Sequence, residues 1–72
     1  MRPLAGHPLA ERLRYPQPAE VRSVLDPAGF VAFEGGLWRA AWGDHPPPPG
    51  VGTWVLIQFD EPTAQLVARS GR

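Results

Sequence analysis

Asp44 and His45, taken with Ser23 or Ser70, supply the three side-chain types of a hydrolytic triad, in which a carboxylate orients an imidazole that activates a hydroxyl. A triad is a matter of geometry, and His45 stands in a run of glycines and prolines with no Gly-x-Ser-x-Gly elbow to present a nucleophile. A solvated loop is the reading these residues favour. His7 and His45 are the only histidines, and their separation lacks the close pairing of ligands that marks zinc sites. All seven cationic residues are arginines, so no amine is present for Schiff-base chemistry, for a phosphate-loop lysine or for biotinyl or lipoyl attachment. The expectation is a chain that is not an enzyme and holds no cofactor and no metal.

Aromatic side chains suggest binding instead. Trp38 and Trp42 lie four residues apart, which on a strand sends both to one face and Arg39 to the other. Exposed on a barrel, such rings stack nucleic-acid bases at about 1–3 kcal/mol per base, or anchor a protein partner. Turned inward, they fill or cover a core that has few other large side chains. Trp54 poses the same choice. Trp38, Trp42, Trp54 and Arg39 are therefore the candidate partner-binding residues. The tetraproline Pro46–Pro49 reads as a rigid spacer, with the alternative of a ligand for proline-binding modules.

The scaffold for these residues has to be small. A chain of 72 residues makes a single core, and at about this length only roughly 60% of the unfolded surface is buried. No cysteine is present to supplement that core. Seven acids balance seven bases, which argues against broad, charge-driven nucleic-acid binding. No apolar run exceeds four residues, as at Trp54 to Ile57, far short of the about 20 residues of a membrane-spanning helix, and Pro3, Pro8 and Arg12 break up any signal-peptide core. The expectation is a soluble domain.

Residues 1–19 contain four prolines and read as an arm or tether, in which His7 to Arg14 makes one or two helical turns with Leu9 and Leu13 on one side. Arg2, Arg12, Arg14 and Arg22 give this third a mild basic bias, compatible with an anionic membrane surface or with a solvated arm. From Glu20 onward, short β-favouring runs alternate with turn residues. Strands are expected at Val21–Leu25, Phe30–Phe33, Leu37–Trp42, Thr53–Phe59 and Ala64–Arg69. Turns fall at Asp26-Pro27-Ala28-Gly29, Glu34-Gly35-Gly36 and Asp60-Glu61-Pro62-Thr63, and a proline-rich crossing loop spans Gly43 to Gly52. The fourth strand is apolar on both faces at Trp54-Val55-Leu56-Ile57, as if one face lined a core and the other were covered. Five strands avoid open edges most simply by closing, so the expected fold is all-β: a small five-stranded OB-fold β-barrel over residues 20–69 with an extended proline-rich N-terminal arm and a frayed end at 70–72.

The order Val21-x-Ser23-x-Leu25-x-Pro27-x-Gly29-x-Val31, then Gly36-x-Trp38-x-Ala40, then Gly50-x-Gly52-x-x-Val55 and Leu66-Val67, resembles the soluble C-terminal domain of the NfeD-like family over about residues 20–68. That resemblance implies an OB barrel appended to transmembrane helices and a partnership with stomatin- and prohibitin-like scaffold proteins at the cytoplasmic face of a membrane. It implies no catalytic residue here, since the chain has neither the length nor the lysine of the serine protease domain carried by some long relatives. Membrane contact would come only through a missing anchor or a partner, and weak homo-oligomerisation stays open. The alternative is a single-stranded nucleic-acid-binding OB domain that uses exposed tryptophans.

Overall fold

A computed structural model describes residues 7–71. Five strands, β1 (Gln17–Val21), β2 (Ala28–Phe33), β3 (Gly36–Trp42), β4 (Trp54–Asp60) and β5 (Gln65–Arg69), close into one barrel in the order β1-β2-β3-β5-β4. All pairings are antiparallel except β3 with β5, where Ala40 faces Leu66 and Trp42 faces Ala68. This is the expected all-β, OB-type barrel.

Alternation along each strand builds the interior. Ala19, Val21, Val31, Phe33, Ala40, Val55, Ile57, Phe59, Leu66 and Ala68 point inward and form one buried cluster. Strands β2 and β3 are joined by the two-residue turn Glu34-Gly35, flanked by the Phe33–Gly36 pair. Both turn residues have positive φ (50° and 81°), the backbone hand that matches the twist of the flanking strands.

Gly29 shows why the first loop needs a glycine. A Cβ built there would lie 2.5 Å from the Val24 carbonyl oxygen and 2.8 Å from that of Ser23, because the backbone of these two residues passes directly over it. The Ser23 hydroxyl oxygen accepts a hydrogen bond from the Phe30 amide at 2.9 Å, pinning the loop to β2. Gly36 has a related role: its absent Cβ leaves room for the Trp38 indole, whose nitrogen would be 3.2 Å away.

The N-terminal reading needs correction. Residues 7–14 dock on the barrel instead of forming a tether, and β1 starts at Gln17 and stops at Val21 instead of running from Val21 to Leu25. Leu9 and Leu13 are buried in the main cluster, held by a turn in which the Leu13 amide donates to the Leu9 carbonyl at 2.9 Å. The Leu13 carbonyl in turn accepts from the Phe59 amide, and the Arg14 carbonyl accepts from Gln58 Nε2, so this segment stoppers one end of the barrel. An ion pair between Arg12 and Glu34 ties the same segment to the β2–β3 turn. Pro18 is tolerated in β1 because the strand meets β2 only at Glu20 and Val21, leaving Pro18 paired on the β4 side alone.

Beyond Val21 the chain bends as Ser23 turns to cap Phe30, and Leu25 is buried from a loop. The reversal into β2 takes place over residues 22–27, with a cis Asp26–Pro27 peptide, and not over 26–29. At the other end, Ser70 is held by a hydrogen bond from its amide to Asp44, so fraying does not begin there. Residues 1–6 of the expected arm, with Arg2, and Arg72 lie outside the described residues. Among the described residues no helix is long and apolar enough to cross a membrane.

Candidate functional site

The four candidate residues fall in three places. Trp38 and Trp42 do share a face of β3, the inward one, on either side of buried Ala40, and both are half-buried against the core. Their indole nitrogens are committed to backbone carbonyls, Trp38 to Phe33 at 3.3 Å and Trp42 to His45 at 3.0 Å. Trp38 sits at the stoppered end, where the His7 ring lies 5.8 Å from it and 5.5 Å from Phe59. Trp42 sits at the opposite end of β3, under the proline-rich loop. Arg39 projects from the outer face of β3, and Trp54 from the outer face of β4.

The outer face of β2 and β3 is the first exposed apolar surface. Phe30 stands directly across from Arg39, and Leu37 across from Ala32, with exposures of 45% for Phe30 and 61% for Leu37. Ala28 pairs with Ala41 on the same face, so the two larger side chains rise from a floor of small ones. Beside this face a recess of about 370 Å³ is bounded by Pro27, Arg39, Ala41, Ala64 and Gln65, between the first loop and the β4–β5 turn. That turn places Ala64 at a φ of 56°, with the Asp60 carboxylate accepting from both the amide and the hydroxyl of Thr63. Strands β2 and β3 with these two loops form the region through which OB barrels engage ligands. Phe30 and Leu37 were not singled out in the sequence, although period-two alternation opposite buried Val31 and Phe33 was enough to place Phe30 on the surface.

The second surface lies on the outer side of β4. Its expected cover is only partial: Trp54 is 64% exposed, opposite Glu20 of β1, whereas Leu56 on the same face is half-buried. A groove of about 740 Å³ runs past Trp54, Trp42, Pro47, Pro49, Asp44 and Pro18. It adjoins a smaller recess of about 370 Å³ that shares Leu56 and Ser70 with it and continues to Pro16, Val67 and Arg69. The Asp44 carboxylate accepts the His45 amide at 2.9 Å and the Ser70 amide at 3.3 Å. These backbone hydrogen bonds hold its pKa below the ordinary carboxylate value.

The residues considered for a triad are now placed. Ser23 spends its oxygen on Phe30 in the first loop, whereas Asp44, His45 and Ser70 border the groove. The His45 side chain is 98% exposed, with Nδ1 3.6 Å from Asp44, beyond hydrogen-bonding distance for an orienting pair. His7 is engaged at the other end of the barrel, its Nδ1 accepting from the Leu9 amide at 3.0 Å. Among the described residues no three His, Cys, Asp or Glu side chains are grouped as metal ligands.

No protein-family model matches this chain, and neither a curated protein nor a solved structure matches it.

Proposed function

We propose that this chain is a non-catalytic, NfeD-type OB module that binds a protein partner through the outer face of β2 and β3. The carrying observation is the exposed pair Phe30 and Leu37 beside Arg39, set on a floor of alanines. Two large apolar side chains next to an arginine have the composition of an interface centre, where aromatic and arginine side chains concentrate binding energy. The flat floor admits another protein's surface. The NfeD reading draws support from the motif residues, because Gly29 admits the crossing loop and Gly36 admits the Trp38 ring. It names a stomatin- or prohibitin-like protein as the partner and the cytoplasmic face of a membrane as the setting.

Nucleic-acid stacking finds less support: the Trp38 and Trp42 rings are turned against the core, and Arg39 is the only cation on the β2–β3 strand face.

A pull-down of a stomatin-like protein from the same source, using the full chain and its Phe30→Ala/Leu37→Ala form, tests the proposal. Capture by the parent and loss in the double variant are expected. Equal capture by both, or none by either, would overturn it. Titration with single-stranded oligonucleotides, followed by tryptophan fluorescence, serves as the contrasting arm.

A further inference from the structure

The groove above β4 is a second, separate surface, and its chemistry differs from that of the β2–β3 face. Trp54 presents most of its ring to solvent, and none of the described residues engages its indole N–H. It is thus an aromatic platform carrying an unused hydrogen-bond donor. Pro47 and Pro49 form stiff walls beside it, and the Trp42 ring closes the same groove with its own N–H already bonded to His45. Asp44 lies at the border, its position fixed by amides from two different segments. Both carboxylate oxygens retain acceptor capacity after those bonds, since each carries two lone pairs.

We propose that this groove binds a proline-rich peptide bearing an arginine or lysine, with prolines against Trp54 and the proline walls and the cation at Asp44. Three complementarities select this occupant. A polyproline II segment has no internal hydrogen bonds, so its carbonyls are available to Trp54 Nε1, a donor that no described residue engages. Its rings fit between aromatic and proline surfaces, and because it is already extended it loses little conformational freedom on binding. The fixed anion at Asp44, with Glu20 directly across from Trp54, matches a cationic side chain in the peptide. Arg69 borders the adjoining recess and its charge reaches Asp44, so it balances part of this anion, and Glu20 on β1 adds a second negative charge beside Trp54.

The probe is an arginine-capped polyproline peptide, titrated into the isotopically labelled full chain. Chemical-shift changes are expected at the Trp54 and Trp42 indole N–H groups and at the Asp44, His45 and Ser70 amides, with Phe30 and Leu37 unmoved. Trp54→Ala should weaken binding by at least about tenfold. Asp44→Asn keeps an acceptor oxygen for Ser70, and should weaken the arginine peptide about twofold to fivefold while leaving an uncharged polyproline peptide unchanged. Absence of shifts at millimolar peptide, shifts centred on Phe30 and Leu37, or equal loss of both peptides in Asp44→Asn would overturn the proposal. So would Trp54-dependent self-association without peptide binding. Phe30→Ala/Leu37→Ala should bind the peptide normally, so failure here and failure of the β2–β3 interface are told apart.

Discussion

The outer face of β2 and β3 and the outer face of β4 expose apolar side chains on the same barrel, but they are built in different ways. The first is a regular hairpin whose surface follows from period-two alternation and a two-residue turn. The second combines a strand with an irregular proline-rich loop, and its shape depends on where that loop is tied down, at Trp42 Nε1 and at Asp44. A strand face inherits its rigidity from ladder hydrogen bonds shared along its length. A loop-walled groove owes its shape to a few isolated bonds, so it can be altered without disturbing the barrel.

Four perturbations sharpen this contrast. Leu13→Ala should cost about 3 kcal/mol, as removal of a fully buried leucine from a core does, lowering the urea midpoint and loosening both faces alike. A tether-like N-terminus would show no such loss. Gly29→Ala should cost about 2 kcal/mol, because the new methyl meets backbone oxygens that cannot retreat. Its nuclear magnetic resonance shifts should centre on β2 and the first loop, and uniform shifts over the β4 groove would contradict the separation of the two faces. Trp54→Ala should change stability by less than about 0.5 kcal/mol in the same urea measurement, since the ring is mostly in water.

Acid gives the smallest and most local effect. The Asp44 pKa is lowered in the fold by its hydrogen bonds with His45 and Ser70, so the contact is whole above the ordinary carboxylate range and is lost as pH falls through the lower folded value. The His45 and Ser70 amide signals should shift together in that acidic window, with Phe30 and Leu37 unchanged. A transition centred at or above the ordinary value would show that the tie is not formed.

Much of the barrel was legible because its strongest signals are local. Trp54 to Phe59 is β-rich, Glu34-Gly35 marks a hairpin, and the strands β2 to β5 lie within two residues of their expected limits. The first strand was misplaced because the prolines of Tyr15-Pro16-Gln17-Pro18 suggest a linker, whereas Pro18 is harmless where only one edge is paired. Leu9 and Leu13 were seen to share a side, but what they dock against is set by β4, more than forty residues away in sequence. Of the candidate residues, Arg39 and Trp54 do face outward, while Trp38 and Trp42 take the covering role that was the competing reading. Neither the spacing nor the composition shows that the proline loop, Trp54 and the C-terminal end of β5 border one groove, because that depends on the tertiary tie from Asp44 to Ser70.

The stopper formed by residues 7–14 has a practical consequence for anyone who would transplant this domain. A fusion or truncation joined directly ahead of Gln17, where the strands begin, would remove Leu9 and Leu13 and wet the end of the interior at Phe59. A portable unit therefore starts before the first strand and includes His7, Leu9 and Leu13.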